Sequence, residues 1–217
     1  MTRILTALVL VPVVVVLVIW APEWAFTLAL GLIGLLAVQE YIRVAMRISP
    51  HAGLRVLLFL LGVVYIYGPL VLAVYLRRSN QHWLMFALLL SWAGDTAALY
   101  IGKAFGRHKL APAISPQKTW EGAAGSVAGA LIAGGIYARY LIPDTPLAII
   151  LPLAIAGNIA GQLGDLAESA LKRHADVKDS GSSLPGHGGW LDRIDSMLFT
   201  VPVIYLLVWC VRNFYGK

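Results

Sequence analysis

The chain has 217 residues, 59% of them hydrophobic and only 13% charged, with a net charge of +6. A soluble domain of this size carries about 25% charged residues, so an ordinary water-soluble globular protein is excluded. The apolar residues come in blocks near the roughly 20 residues that cross a bilayer, without the period-two alternation of an outer-membrane barrel, which leaves helices to satisfy the backbone in lipid.

In chain order the blocks predict seven spans, at about 4–20, 24–40, 54–76, 82–102, 122–142, 146–168 and 196–212. The second and the last are short or have blurred ends. The expected fold is all-α: a polytopic membrane helix bundle of about seven transmembrane helices, one integral membrane domain over residues 1–217 with N-terminal spans within 1–80. Arg3 followed by an apolar run and "WAPEWA" resembles a signal peptide. The run is longer than a usual h-region, however, and no clean small-x-small cleavage site follows. Tryptophans and tyrosines near span ends, Trp20, Trp24, Trp83, Tyr140 and Tyr215, read as an interfacial belt. With the N-terminus in the cytoplasm, twelve of the 17 basic residues fall on the cytoplasmic side, as the positive-inside rule requires. Both long polar loops, 103–121 and 169–195, are then expected to face the cytoplasm. Their charge serves orientation and anionic lipid, or anionic substrates; both uses are compatible. Cys210 has no partner cysteine, which excludes an internal disulfide.

Within the fourth span, "LLLSWAGDTAALYIG" carries Asp95, with Ser91 one turn away on the same face. A carboxylate in a span costs a few kcal/mol and usually faces a bundle interior or wet cavity, where it either has a function or glues helices. The loop "GKAFGRHKLAPAISPQKTWEG" contains Ser115-Pro116, a turn, and Lys118-Thr119 at the head of the fifth span. A hydroxyl can cap that helix, and its N-terminus with Lys118 could take a phosphate; a plain loop-to-helix junction is the other reading. In the fifth span Gly122, Ser126, Ala130 and Gly134 recur every four positions, as do Gly125 and Gly129, and Gly157 and Gly161 in the sixth. Small residues at that spacing permit close helix packing.

The sixth span is polar on one face. Asn158, Gln162, Asp165, Ser169 and Lys172 fall at helical steps, with Glu168 at the border. An interhelical hydrogen-bond seam, about 0.6–2 kcal/mol per bond in membranes, accounts for Asn158 and Gln162 better than for a carboxylate followed by Lys172-Arg173. The next loop holds "KDSGSSLPGHGGWLDRIDS", residues 178–196. Asp192 and Asp195 share a face if that stretch is helical, with Arg193 turned away. Together with Asp165 they are the candidate ligands of a divalent cation, and carboxylates with phosphate oxygens suit Mg²⁺. No Cys/His cluster of a zinc site is present. The glycines at 181, 186, 188 and 189 allow positive φ and close approach of a ligand, and backbone N–H groups in such turns can receive phosphate. The combination predicts metal-assisted phosphoryl or nucleotidyl transfer on a membrane-bound substrate. Walker, kinase and Rossmann motifs are absent, and nucleic acid is not an expected partner.

These residues carry a resemblance. "SALKRHADVKDSGSSLPGHGGWLDRIDS", residues 169–196, resembles the signature of the phosphatidate cytidylyltransferases, or CDP-diacylglycerol synthases. Ser169, Lys172, Arg173, Lys178, Asp179, His187, Gly188, Gly189, Asp192, Arg193 and Asp195 stand in step with it. The preceding segment is similar through Asp95, Ser115, Pro116, Lys118, Thr119, Glu121 and Gly122, so the likeness covers about 91–200, the expected catalytic core. Trp190 replaces an aliphatic residue, and the N-terminal half is shorter than the family's by about two spans around 47–55.

The resemblance implies the reaction CTP plus phosphatidate to CDP-diacylglycerol and pyrophosphate. It implies Asp165, Asp192 and Asp195 on Mg²⁺, with Asp95 a further ligand or the anchor of a lysine, and leaves a second cation open. Asp165, Lys172, Asp192 and Asp195 are the expected catalytic residues. Ser115, Lys118, Thr119, Arg173, Lys178, His187, Gly188, Gly189 and Arg193 are expected to bind phosphates or substrate, with fixing the loop or orienting ligands the open alternatives for Asp179 and His187. Expected partners are CTP, phosphatidate and membrane lipid, with a homodimer left open. The expected location is a bacterial inner (cell) membrane, active site toward the cytoplasm. The competing readings are a CTP-dependent polyprenol or lipid-alcohol kinase and a membrane transporter. A CDP-alcohol phosphotransferase lacks its "DGxxAR…GxxxDxxxD" pattern here, and an assembly scaffold leaves the spacing of the acids unexplained.

Overall fold

The computed structural model describes residues 2–48, 51–183 and 188–215. It is a helix bundle: α1 (Thr2–Ile19), α2 (Glu23–Ile48), α3 (Ala52–Ser79), α4 (Gln81–Phe105), α5 (Trp120–Leu141), α6 (Leu147–His174), the single turn α7 (Leu191–Ile194) and α8 (Met197–Tyr215). The seven expected spans correspond to α1–α6 and α8. Five stretches, in α2, α3, α4, α6 and the α7–α8 unit, are long and apolar enough to cross a membrane. The chain is thus built as an integral membrane protein.

The helices run past the expected span ends, because hydropathy marks where a chain leaves hydrocarbon and not where its helix stops. The largest extension is in α2, which continues eight residues past Glu40 to Ile48. It does so because Tyr41 and Ala45 remain buried, packed in one cluster with Leu191 and Ile194 of α7 and Leu198 of α8. The loop 103–121 is also more ordered than a turn. Lys109–Ala111 (β1) pairs antiparallel with Ser115–Thr119 (β2), a two-stranded hairpin beside an otherwise helical chain. The Thr119 side chain then accepts the Gly122 N–H (3.1 Å) and caps α5, as one of the two sequence readings had it.

Close packing follows the small residues. A methyl on Gly129 would stand 2.5 Å from the Cβ of Ala97 and 3.0 Å from the Ala93 carbonyl, so α5 lies directly on α4. Gly157 and Gly161 likewise admit Ile204 and Thr200 of α8. Not all aromatic residues lie in the expected belt. Trp20, Trp24 and Tyr140 are exposed, but Trp83 is buried, edge-on to Phe86 with ring centroids 5.8 Å apart. Tyr215 lies among residues whose side chains are not described.

The bundle has two different ends. At one, Arg77 donates to the carbonyls of Val18 (2.8 Å) and Ala21, and Arg78 pairs with Glu23, tying the α3 C-terminus to the α1–α2 turn. At the other, the hairpin and the 175–190 loop come together: Arg173 donates to the carbonyls of Ile114 (3.2 Å) and Val177 (3.0 Å). Both polar loops therefore share one end, as the topology required.

Candidate active site

The polar stripe of α6 divides into two parts with different roles. Toward the bundle interior, Asn158 donates to the Leu90 carbonyl (3.2 Å) and to Ser126 (3.1 Å). Gln162 donates to Asn158 (2.8 Å) and to the Ala123 carbonyl (3.3 Å). This half is a seam joining α4, α5 and α6. Ser91 closes a second seam with Thr200 of α8 (3.3 Å). Toward the loop end the stripe becomes charged. Asp165 pairs with Lys118 of β2 (2.5 Å) and accepts from Ser169 (3.3 Å). Lys172 is held between Glu168 and Asp192, the latter at 2.5 Å.

Two cavities meet at Asp95. One, of about 310 Å³, is mainly apolar: Leu10, Val14, Phe26 and Leu30 of α1 and α2 line its depth, and Asp95 and Asp195 its head. The other, of about 600 Å³, is lined by more polar and charged side chains, Lys103, Lys109, Ser115, Lys118, Gln162 and Asp165 among them. Asp95 lines both. Asp95, Asp165 and Asp195, from α4, α6 and the α7–α8 junction, stand within electrostatic reach of one another, offset by Lys118, Lys172 and Arg193. Asp195 is buried, while Arg193 is exposed and lines the same chamber.

Asp192 departs from its expected part. Its Oδ1 receives Lys172, and its Oδ2 receives the Ser180 N–H (2.9 Å), the Ser180 hydroxyl (2.8 Å) and the Gly189 N–H (2.8 Å). With both oxygens committed it organises the loop, which counts against its reading as a metal ligand. Gly188 has φ +77°, the left-handed region, and a Cβ there would stand 2.7 Å from Asp192 Oδ2. This glycine is needed by a carboxylate of the chain itself, not only by a ligand. Thr119 faces the polar cleft but spends its oxygen capping α5, and Arg173 is spent on carbonyls. Lys178 and Asp179 are exposed. His187 lies outside the described residues.

Among the described residues no three acids, histidines or cysteines stand close enough to cage an ion alone. Mg²⁺ does not need such a cage: it takes one or two carboxylates and completes its shell with phosphate oxygens and water. Asp165 and Asp195, with Asp95, supply only hard oxygen donors, so their chemistry fits that ion.

The structure also brings in a residue the sequence reading passed over. Glu40 of α2 is fully buried and accepts from Ser180 (3.2 Å), Ser183 (2.8 Å) and the Leu191 N–H (2.9 Å). The rule that singled out Asp95 applies to it as well, but Glu40 was placed at a span's expected end, where an acid excites no interest.

Residues 49–211 match the cytidylyltransferase family. The chain belongs to that family. Its curated relatives include the phosphatidate cytidylyltransferase of Bacillus subtilis, 42% identical over 151 residues, 68% of this chain and 56% of the relative. The enzymes of that name from Staphylococcus saprophyticus (41% over 148 residues; 68% and 54%) and Staphylococcus aureus (40% over 149 residues; 69% and 57%) are similar to it as well. The chain spans about half the length of these relatives. Glu40 lies before the segment matched to the cytidylyltransferase family.

At the start of α5, Glu121 accepts from the His108 ring (2.6 Å) and from the N–H groups of Arg107 (3.2 Å) and His108 (3.3 Å). The His108 bond is the main cause that its carboxyl is held at about 2, below the usual 4.5. A depressed carboxylate stabilises above its unfolded value and loses that contribution as pH falls through the folded one. The joint between hairpin and α5 is therefore expected to loosen only as pH drops from about 4.5 toward about 2. Lower protection of the Arg107 and His108 amides over that window, with exchange corrected for its intrinsic pH dependence, and unchanged protection at pH 5–8, is the expected result.

Proposed function

We propose that this chain is a phosphatidate cytidylyltransferase, joining CTP and phosphatidate to give CDP-diacylglycerol and pyrophosphate, with its site facing the cytoplasm of a bacterial inner membrane. The observation that carries the reading is the meeting of an apolar chamber and a lysine-lined polar cleft at Asp95. A lipid and a nucleotide need different solvents, and their phosphates must nevertheless touch. The apolar chamber suits acyl chains, and the cleft with Lys103, Lys109 and Lys118 suits a triphosphate.

In this reading a phosphate oxygen of phosphatidate attacks the α-phosphorus of CTP, and the bond to the pyrophosphate leaving group breaks. No general base is needed, because a phosphate monoester is already ionised at neutral pH. What the chain must overcome is repulsion between two anions, and positioning with charge compensation supplies most of phosphoryl-transfer catalysis. Lys118 exchanges its Asp165 contact for a phosphate, and Lys172 offers a buried charge beside the reacting centre. Arg193, exposed near Asp95, compensates charge at the chamber head. Asp165 and Asp195, with Asp95, would hold Mg²⁺. Such an ion, when bound, would supply positive charge against the charge developing on the leaving group.

The test is a pyrophosphate-release assay on the purified chain with CTP, phosphatidate and Mg²⁺. Pyrophosphate in step with CDP-diacylglycerol is expected, and neither without Mg²⁺. Release of CDP with phosphorylation of a lipid alcohol would replace the reading by a lipid kinase, and no nucleotide-dependent product would overturn it.

A further inference from the structure

The carboxylate of Glu40 belongs to no part of the chemistry above, yet it is the hub of the loop that carries Asp192. It sits in the middle of a long helix, with no exposed surface at all. Burying a charge-bearing side chain is costly unless it is fully hydrogen-bonded, and both Glu40 oxygens are engaged by the 180–191 loop. Ser183 binds Oε1, while Ser180 and the first N–H of α7, from Leu191, bind Oε2. The loop backbone is drawn in so tightly that a Cβ on Gly181 would stand 2.5 Å from Oε1, and one on Gly189 would overlap Oε2. Two glycines of the signature are thus shaped around this one side chain.

Ser180 links Glu40 to the site. Its hydroxyl lies 3.2 Å from Glu40 Oε2 and 2.8 Å from Asp192 Oδ2, so one hydroxyl hydrogen is placed between two carboxylates. Asp192 in turn holds Lys172. The chain of contacts runs Glu40, Ser180, Asp192, Lys172 without a gap, from a helix outside the family match to a lysine at the reacting centre. Leu191 anchors the other end: its N–H is on Glu40 and its side chain is fully buried against α2, which sets where α7 begins and so where Asp195 points.

We propose that Glu40 is a positioning residue for the transfer reaction. It acts through Ser180 and the start of α7 to fix Asp192, Lys172 and Asp195, and it does not touch substrate. The proposal rests on the nucleotidyl-transfer reading for its kinetic consequences, but not for its structural ones. A conserved shape with one oxygen lost is the sharpest probe. Glu40→Gln keeps the volume but turns an amide N–H₂ against groups that are themselves donors.

The experiment uses the full chain in detergent or nanodiscs, with Glu40→Gln, Ser180→Ala and the double variant. Misplacement of reacting groups by about 1 Å can cost on the order of 100-fold, so kcat is expected to fall roughly tenfold to a hundredfold in each single variant. KM for CTP and phosphatidate should stay within about twofold, since the residue acts through others and not on binding. Because both act along one path, the double variant should be no worse than the poorer single one. Amide exchange should quicken at Ser180, Gly189 and Leu191 while α4–α5 is unchanged. Wild-type kcat in Glu40→Gln, or a double variant whose loss is the product of the two, overturns the proposal. If Glu40→Gln does not insert, Ser180→Ala alone carries the expectation, because it leaves the glutamate in place and cuts only its link to Asp192. The exchange measurement needs no activity. A wild-type chain without cytidylyl transfer would sink the functional reading, whereas unchanged exchange in Glu40→Gln would sink this one.

Discussion

Asp195→Asn is expected to lower turnover by roughly a thousandfold, on the order of 4 kcal/mol of barrier, while leaving the protein as stable as before or more so. The two signs come from the same carboxylate. Asp195 shares a region with Asp165 and Asp95, and the three charges repel one another. An asparagine of the same shape removes one of those charges and still accepts the Ser196 N–H now bound by Oδ1 at 2.6 Å. The fold therefore loses nothing it uses. In the proposed reaction, the chemistry loses a negative oxygen donor where a cation would meet two phosphates. A residue that weakens function while its removal relieves repulsion is a mark of an active site, since active sites are assembled against stability. Pyrophosphate release and thermal unfolding, measured on one preparation, check both halves. The Mg²⁺ concentration for half-maximal activity should rise as well. A variant that loses activity and melting temperature together would make Asp195 a structural acid, and wild-type turnover would remove it from the site.

The acids differ in how far their roles could be read from sequence, and the differences are physical. Asp95 and Asp165 were visible because a carboxylate in an apolar helix is expensive, and the expense is local. The small-residue rows at 122–134 and 157–161 were visible for the same reason: close packing needs no Cβ at the contact itself, whatever the partner. Asp192 was found but its partners were not, because they are Lys172, Ser180 and Gly189 folding back on it. Spacing along the chain cannot report a loop that returns to a helix. Glu40 was missed through a boundary: hydropathy ended the second span at residue 40, whereas α2 continues to Ile48 because α7 covers it. The hairpin 109–119 was hidden as well. Its strands are short, carry Pro116 and alternate poorly, and contacts distant in sequence, Lys118–Asp165 and Arg173–Ile114 among them, give it a place. The seam at Asn158 and Gln162 and the charged end at Asp165 and Lys172 form one stripe in sequence. Separate surroundings divide them in the fold.

Lys172→Met is expected to be the most destabilising single change at the site. The ammonium lies between two carboxylates, and the three side chains are 11% (Lys172), 0% (Glu168) and 6% (Asp192) exposed. Among the described residues no donor meets either oxygen of Glu168 in hydrogen-bond geometry, so the ion pair is what compensates it. Removing one partner of a buried pair costs about 3–5 kcal/mol, chiefly through the charge left behind, and here two charges are left facing one another. Thermal unfolding in detergent should show the loss directly. Adding Glu168→Gln to Lys172→Met removes one of the stranded charges and is expected to recover most of the stability, because the double variant again holds a single carboxylate with its loop donors. Activity should not return with it. Asp192 keeps Ser180 and Gly189 in place in the double variant, so the loop is restored, and on the proposed reading what is missing is the positive charge beside the reacting phosphates. If the double variant regains both melting temperature and pyrophosphate release, Lys172 only holds two acids apart. If it regains the first alone, the lysine's charge is spent on the substrates, and the stability it confers is a consequence of keeping that charge buried and ready.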